Sequence, residues 1–381
     1  MWILFWDPFS FMTLMIVYMI SFIVVIIISM LIAPKVAEKL SGRFSLNASM
    51  AIAMISIILG GLAGVGIITY VLMDVIGATP IPYLIFGIII FYIIFNGIVY
   101  LLSPAMINLM YGAKRDPELQ KIVDQVASRS GFSKSPKAVV VRGPPNAFAY
   151  GNFLTGRYVA VSTSMLRLVD RNELEAVIGH ELGHHKHRDG SIMLFIGMIP
   201  SILYFTGLLL IRLGLISGFT SRRDGERRNG GLIFILIGIL AVVMSILLNI
   251  LVLAFSRLRE YYADLHGARV SGARYMQRSL AKLYLYYNRF EDAREMVSNS
   301  RIKALFIYAL TQAVANPLYD PYGIRRSEDS YIDWRDIDSY IERIKKIEEP
   351  VSKEIMSTHP PIPKRLRFLD KIEARVHGPP I

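Results

Sequence analysis

The stretch Ala176–Gly190, "AVIGHELGHHKHRDG", holds four of the seven histidines in a chain of 381 residues. His180 and His184 flank Glu181 in the pattern H-E-x-x-H, and an uncharged apolar segment begins at Ser191. With seven histidines and 30 acidic residues in the chain, roughly 0.01 matches to this pattern would arise by chance. The clustering therefore indicates a functional site, and the neighbouring residues indicate its chemistry.

The residues before and within the motif predict an amphipathic helix. Asp170 and Glu173 have the spacing of a capping box, and apolar residues recur behind them on one face. On such a helix His180 and His184 lie one turn apart, and two imidazoles so placed can hold one Zn²⁺ at about 2.0–2.1 Å. Glu181 points beside that face, where its carboxylate can reach a water molecule next to the metal without being a ligand.

The other two histidines of the stretch are interpreted differently. On a helix of about 3.6 residues per turn, His185 points roughly 100° away from His184. His187 lies two turns from His180, near the rim of the predicted site. Both are interpreted as ordinary residues of a membrane interface and not as ligands.

A catalytic zinc site usually has three protein ligands and keeps a fourth position open for water. The segment Ser256–Val270, "SRLREYYADLHGARV", offers the best third ligand. Glu260 and Asp264 are four residues apart and share a helix face. Glu260 can be the ligand, and Asp264 can hold a ligand imidazole through its free N–H. His266 is the competing ligand, although its side chain would leave that face. One zinc ion per chain is predicted.

The composition is that of a membrane protein. The chain is 53% hydrophobic, with a mean hydropathy of +0.43, which excludes an ordinary soluble domain. Five uncharged segments are long enough to cross roughly 30 Å of hydrocarbon at 1.5 Å per residue: Phe11–Ala33, Ala48–Met73, Ile81–Leu102, Ser191–Ile211 and Gly231–Phe255. The absence of cysteine excludes disulfides and thiolate sites. Together with abundant isoleucine, it favours a thermophilic source.

The net charge of +12 is explained by basic residues beside the spans. Nucleic-acid binding is the alternative, and no nucleic-acid partner is predicted. Basic residues after the first span, and Lys114 and Arg115 after the third, place the amino terminus outside and the segment up to about Arg188 in the cytoplasm. The arginine-rich loop Gly218–Gly230 contradicts this rule if both flanking spans cross, so a hairpin that does not fully cross is the alternative there.

Four motifs together resemble the M48 family of membrane metallopeptidases, and within it the HtpX-like heat-shock protease branch. They are "HELGH" followed by Asp189, "SRLREYYADLHGA", "STHPPIPKRLRFL" and "NAFAYG". The resemblance implies a zinc-dependent endopeptidase with the three ligands already named, Glu181 as the base, and a zincin-type catalytic domain facing the cytosol. One feature departs from the branch, whose members usually have two spans before the catalytic domain, whereas three are predicted here.

The resemblance also gives roles to residues that spacing alone does not single out. Similar sites have an asparagine on an edge strand that holds the substrate backbone, here Asn146, and a histidine that stabilises the oxyanion, here His359. From the sequence alone, "STHPP" around His359 is a turn. As an edge strand, Ala147, Phe148 and Ala149 would pair with an extended substrate by strand addition.

The predicted fold is a mainly α membrane protein, with transmembrane helices and a zincin-type α+β domain that carries a small sheet. "KAVVVR" and "YVAVST" predict strands, with "NAFAYG" as a third strand or an edge. The predicted divisions are a membrane region with three spans at 1–110, the first catalytic part at 111–190, a two-helix transmembrane hairpin at 191–255, and a mostly helical second catalytic part at 256–381.

The implied reaction is peptide hydrolysis, with lipid as a partner and unfolded or damaged membrane proteins as substrates in quality control. The CAAX prenyl protease branch of the family is one alternative, but it resembles a chamber of seven spans and five are predicted here. A non-catalytic adaptor is disfavoured by the intact motif. A metal-dependent transporter would need ionisable residues within its spans, and the five segments are uncharged.

Overall fold

The computed structural model describes residues 80–220, 228–289, 334–348 and 357–376. The predicted spans Phe11–Ala33 and Ala48–Met73, and residues 221–227 of the arginine-rich loop, lie outside these ranges. Within them, three helices are long and apolar enough to cross a membrane: α1 (Pro80–Met110), α5 (Asp189–Thr220) and α6 (Arg228–Ser271). They contain the third, fourth and fifth predicted spans.

The described residues form two compact units. The first comprises those up to Tyr92 and those between Ile196 and Phe255. In this unit α5 and α6 touch through glycines, since a Cβ atom on Gly207 would lie 2.7 Å from the carbonyl oxygen of Gly238. Small residues at a helix contact let two backbones approach closely, which is a common way for membrane helices to associate.

The second unit runs from Ile93 to Phe195 and continues from Ser256. Its remaining elements are β1 (Lys114–Arg115), α2 (Pro117–Arg129), β2 (Lys137–Val141), β3 (Ala147–Asn152), β4 (Gly156–Ser162), α3 (Thr163–Leu168), α4 (Arg171–Lys186), α7 (Ala273–Arg289), a 3₁₀ turn (Trp334–Asp336), α8 (Ile337–Lys345) and α9 (Ile362–Val376).

The sheet of this unit has the strand order β1-β2-β4-β3. β2 and β4 are parallel, and the other two pairings are antiparallel. Alternating side chains divide between two cores: Val159 and Val161 pack with α2 and α4, whereas Ala160 packs on the other face with Ile107 of α1. The three predicted strands are confirmed, and "NAFAYG" forms the edge strand β3. The mainly α fold with a small sheet is confirmed as well.

Helix α4, which carries the H-E-x-x-H motif, is fixed at its start by the predicted capping box. The backbone N–H of Glu173 donates to Asp170 Oδ1 at 2.9 Å, and the backbone N–H of Asp170 donates to Glu173 Oε2 at 2.9 Å. Glu173 is fully buried, and Lys282 Nζ on α7 donates to it at 2.6 Å. Because these contacts set both the register and the direction of α4, they determine where its histidines point.

Candidate metal centre

Helices α4 and α6 meet at the site through residues that have almost no side chain. A Cβ atom on Gly179 would stand 3.0 Å from the Cα of Gly267, and one on Gly183 would stand 3.1 Å from the Cα of Ala263. The two glycines precede the two histidines of the motif and lie one turn apart. Their contact brings the backbone of α6 close enough for its carboxylates to reach the imidazoles of α4.

The structure brings His180, His184 and Glu260 together. One potential ligand atom from each lies within 4.8 Å of the other two. The Nε2 atoms of His180 and His184 are 3.2 Å apart. Glu260 approaches them with Oε2 at 3.6 Å from the first and Oε1 at 3.5 Å from the second. Both imidazoles therefore present Nε2 to one shared point, and the carboxylate closes the third side.

A buried aspartate and arginine stand behind His180. Asp264 lies with Oδ1 2.9 Å from His180 Nδ1. Arg365 donates to the same carboxylate from Nε at 2.7 Å and from Nη2 at 2.5 Å. Asp264 is fully buried and Arg365 almost so. This fork of two hydrogen bonds fixes the carboxylate, and the carboxylate fixes the ring with Nε2 turned to the site.

His184 has a matching pair behind it, which the spacing argument missed. Asp189 Oδ2 lies 2.6 Å from His184 Nδ1, and Arg259 Nη2 lies 2.9 Å from the same oxygen. Burial disfavours the protonated imidazole, but the hydrogen bond to Asp189 and the charge of Glu260 outweigh it and raise the pKa of His184 to about 9. The signal available in the sequence was the aspartate five residues after His184, which lies just past the end of α4 at Lys186.

Glu181 is buried beside the three ligands. Its Oε2 accepts a hydrogen bond of 2.7 Å from the backbone N–H of Ala149 on the edge strand β3. Burial raises the pKa of the Glu181 carboxyl, while the neighbouring His180 and His184 work in the opposite direction. A carboxylate in such surroundings is a stronger base than one in water.

His359 also lies at the site, although its segment is distant in sequence. Its Nδ1 is 3.0 Å from Glu260 Oε2, and Arg365 Nη1 is 3.5 Å from the same oxygen. The turn that carries His359 is held by Arg257, whose Nη1 donates to the carbonyl of Ser357 at 2.7 Å.

The predicted substrate-binding residues line a cleft of about 530 Å³ that also contains the three ligands. Asn146 precedes the edge strand, and its backbone N–H donates to Ser162 Oγ at 2.9 Å. Ala147 and Ala149 are half-buried. Phe148 differs, because its side chain is buried on the sheet face away from α4, where it contacts the rings of Tyr111 and Tyr150.

The remaining histidines of the motif region lie elsewhere. His266, the competing ligand, is not in the ligand cluster, and its Nε2 is 3.1 Å from Ser130 Oγ. His185 and His187, which the sequence analysis interprets as membrane-interface residues, both have packing partners in this unit. His185 Nε2 contacts the carbonyl of Tyr158 on β4 at 2.7 Å, and the ring of His187 packs edge-on against Tyr262, with centroids 4.0 Å apart. Both are therefore packing residues of this unit.

The charges around the ligands favour a cation. Four buried carboxylates, those of Glu181, Asp189, Glu260 and Asp264, surround the site, and two buried guanidinium groups, those of Arg259 and Arg365, face them. In the metal-free protein, the proton that the raised pKa keeps on His184 offsets part of this negative charge. Zinc binds imidazoles in their neutral form, and with both rings neutral two negative charges remain in a region of low dielectric, which is costly unless they are balanced. One divalent cation between the ligands would balance them.

The residues that match known proteins include all those of this site. The sequence profile of peptidase family M48 matches residues 113–373. A Pyrobaculum aerophilum protein named protease HtpX homolog is 48% identical over 331 residues, which cover 87% of this chain and 89% of that protein. A protease HtpX homolog of Archaeoglobus fulgidus is 50% identical over 287 residues, covering 75% of this chain and 77% of its own. The solved structure of S. mikatae Ste24p aligns over 85% of this chain and 67% of that chain, with a TM-score of 0.43 and 18% identity.

Proposed function

The chain belongs to peptidase family M48, and we propose that this membrane protease is a zinc-dependent endopeptidase whose catalytic centre is the cluster of His180, His184 and Glu260. The observation that carries the proposal is the convergence of the three ligand atoms within 4.8 Å of one another. The buried base Glu181 on the same helix as the two histidines supports it.

The donor set suits zinc. Two imidazoles and one carboxylate are ligands that catalytic zinc sites use, and they leave one position open. Each imidazole is backed by a buried aspartate, which fixes its tautomer and direction and raises its basicity as a ligand. When bound, the ion would polarise the scissile carbonyl group and lower the pKa of a water molecule from 15.7 toward about 7.

The residues of the chain divide the remaining work. Glu181 accepts a proton from the attacking water and later passes it to the leaving amine. His359, placed beside Glu260, donates to the oxygen that becomes negatively charged in the tetrahedral state. Asp264 and Asp189 do not touch the substrate, and they keep the two imidazoles in place throughout the reaction.

The substrate binds as an added strand along β3. The backbone N–H of Ala149 points away from β4 and toward Glu181, so by the alternation of an antiparallel pair the main-chain groups of Ala147 and Gly151 also face outward. An extended peptide can pair with these groups, and Asn146 can hold its backbone at the start of the strand. Phe148 contributes by anchoring the strand in the core.

The setting of the site indicates its substrates. We place the catalytic parts, 111–190 and 256–381, in the cytoplasm and the amino terminus outside, with the hairpin 191–255 between the catalytic parts in the membrane. Helix α6 continues without a break from its apolar stretch to Glu260 and Asp264. A site carried on such a helix stays near the bilayer, where unfolded or damaged segments of membrane proteins are found, and quality control of such proteins is the proposed role.

A direct assay tests the activity. The full-length chain is purified in lipid nanodiscs, stripped with a chelator and reloaded with one equivalent of zinc. We expect cleavage of an unfolded soluble protein such as casein by the reloaded protein and none by the stripped protein. If folded protein with one bound zinc per chain produces no cleavage of casein or of unfolded membrane proteins, the proposal is wrong.

A further inference from the structure

The turn between β3 and β4 carries two large apolar side chains that nothing in the described part of the chain covers. Phe153 is 78% exposed and Leu154 is 66% exposed. Turns of this length usually carry small or polar residues at their tips, because these side chains face water. Two adjacent apolar residues in this position indicate that the tip does not end in water.

The exposure is not the result of a loose turn. The side-chain oxygen of Asn152 accepts hydrogen bonds from the backbone N–H groups of Leu154 at 3.0 Å and Thr155 at 2.9 Å, and from Thr155 Oγ1 at 3.1 Å. Lys137 Nζ donates to the carbonyl of Thr155 at 2.9 Å. These hydrogen bonds hold the backbone from which the two apolar side chains project.

The same asparagine ties the turn to the apolar helix α1. Pro104 has no N–H, so the carbonyl of Tyr100 lacks its backbone partner in the helix and accepts instead from Ser103 Oγ at 2.9 Å. The side-chain amide of Asn152 donates to this carbonyl and to that of Leu101, both at 2.9 Å. The ring of Phe153 lies beside that of Tyr100, with centroids 6.5 Å apart. The tip consequently sits at the level of Tyr100 along α1.

That level is marked as a membrane boundary by independent features. Tyr100 Oη and Ser191 Oγ are 2.8 Å apart, and Ser191 is where the apolar stretch of α5 begins. On α1, Ile98 and Leu102 are both about half exposed on either side of Tyr100. Such residues face lipid in a helix that crosses the bilayer, so Tyr100 lies in the outer part of the acyl-chain region, near the end of the predicted span at Leu102. Tyrosine is itself enriched at the interface between membrane and water.

We propose that Phe153 and Leu154 insert into the outer part of the acyl-chain region beside α1, so that the β3–β4 turn is a membrane anchor of the catalytic unit. The apolar surface of the tip is continuous with the lipid-facing surface of α1 through Tyr100, which favours lipid over a protein partner as the occupant. Lys137 and the exposed Arg157 lie at the base of the turn, where their charges meet lipid headgroups.

This anchor bears on substrate choice, a consequence that rests on the proposed function. The substrate-pairing edge of β3 ends at Asn152, and hence at the surface of the bilayer. A peptide segment that leaves the membrane there reaches the pairing edge without first crossing the cytoplasm. The anchor thus favours chains whose scissile bond lies close to a membrane-spanning segment.

The absence of cysteine from the chain allows a test by single-site labelling. Phe153→Cys, Leu154→Cys and the control Lys121→Cys, on the exposed face of α2, are each labelled with an environment-sensitive fluorophore in phosphatidylcholine/phosphatidylglycerol vesicles. We expect lipids brominated at shallow acyl positions to quench the labels at 153 and 154, and aqueous iodide to quench only the label at 121. Because the readout needs no activity, it separates this proposal from the proposed protease function.

Two outcomes would overturn the anchor. If iodide quenches the labels at 153 and 154 as strongly as the control, the tip ends in water. If neither iodide nor brominated lipid reaches them, another protein surface or a second copy covers the tip. Labelling two adjacent positions separately guards against a local disturbance at either one, and the thermal unfolding temperature of each labelled chain verifies its fold.

Discussion

Gly179 and Gly267 face each other where α4 crosses α6, and a Cβ atom on Gly267 would lie 2.6 Å from the carbonyl oxygen of Ala176, one turn before His180. Such a contact can be relieved only by separating the two backbones. The distance between the imidazoles on α4 and the carboxylate of Glu260 on α6 therefore depends on two residues that bind nothing themselves.

Gly267→Ala should accordingly weaken zinc binding without removing any ligand. Overpacking of this kind typically costs about 1–3 kcal/mol. If most of this cost is met by moving the ligands of α4 and α6 apart, the zinc affinity should drop about tenfold or more. Competition with a chromogenic chelator measures the affinity. Gly97→Ala is the matched control, because a Cβ atom there has open space. Unchanged zinc affinity in Gly267→Ala would show that the helices tolerate separation.

Glu181→Gln should keep the fold and the zinc but lose hydrolysis, because an amide cannot accept the proton of the attacking water. Loss of a general base typically lowers the rate by 10²–10⁴-fold. The measurement is casein turnover at a verified stoichiometry of one zinc per chain. Glu118→Gln, at a highly exposed position on α2, serves as the control. Near-normal turnover in Glu181→Gln would assign the base elsewhere.

Replacing the ligand and the supporting carboxylates should have graded effects on zinc affinity. Glu260→Ala removes a ligand and should lower the affinity sharply. Asp264→Asn and Asp189→Asn should each lower it by the 10–100-fold typical of residues that orient a ligand. Metal analysis after dialysis ranks the three variants. Full zinc occupancy in Glu260→Ala would move the third ligand to another residue, with His266 as the first alternative.

Zinc affinity should rise with pH between about 6 and 9. The pKa of His184 is raised to about 9 in the metal-free protein, so at lower pH the imidazole carries a proton that zinc must displace. Each pH unit below 9 then costs up to about tenfold in apparent affinity, and the dependence flattens above pH 9. Asp189→Asn removes the main stabilising partner of the protonated ring and should shift this dependence to lower pH. Chelator-competition titrations at several pH values, corrected for the chelator, measure both effects.

The arginine-rich loop Gly218–Gly230 should lie outside the cell if the helices that flank it both cross the membrane. Ser221→Cys in this cysteine-free chain can be labelled with an impermeant reagent in intact cells, with a cytosolic reporter at the carboxy terminus as the reference. Labelling is the expected result. Protection from the reagent in cells, together with labelling after lysis, would favour a hairpin that does not fully cross.

The parts of the site that were predictable from the sequence are those set by local geometry. The capping box of Asp170 and Glu173, the shared face of His180 and His184, and the pairing of Glu260 with Asp264 all follow from the spacing of residues on single helices. To predict each of these three relationships, only the number of residues per helical turn is needed. In the structure, the residues of each set lie on the helix face that this number indicates.

The parts that were not predictable depend on contacts between distant segments. Arg365 supports Asp264 from a helix about a hundred positions away, and no periodicity links the two. Asp189 begins α5 just after the end of α4, and it meets Arg259 only because α4 and α6 come together. The packing partners of His185 and His187, which are Tyr158 on β4 and Tyr262 on α6, also come from distant segments and could not be read from the spacing. A two-residue strand such as β1 is too short to produce a pattern.

The order of the ligands along the chain has a consequence for biosynthesis. A ribosome that has completed α4 and α5 has made both imidazoles and the general base, but not Glu260, which follows the apolar part of α6. Two imidazoles without the third ligand and its supporting aspartate hold zinc weakly, since a metal site forms only when its protein segments have come together. We expect the nascent chain to stay inert until α6 has been made, so that a newly inserted copy cannot cut its own emerging segments or those of its neighbours at the translocation site.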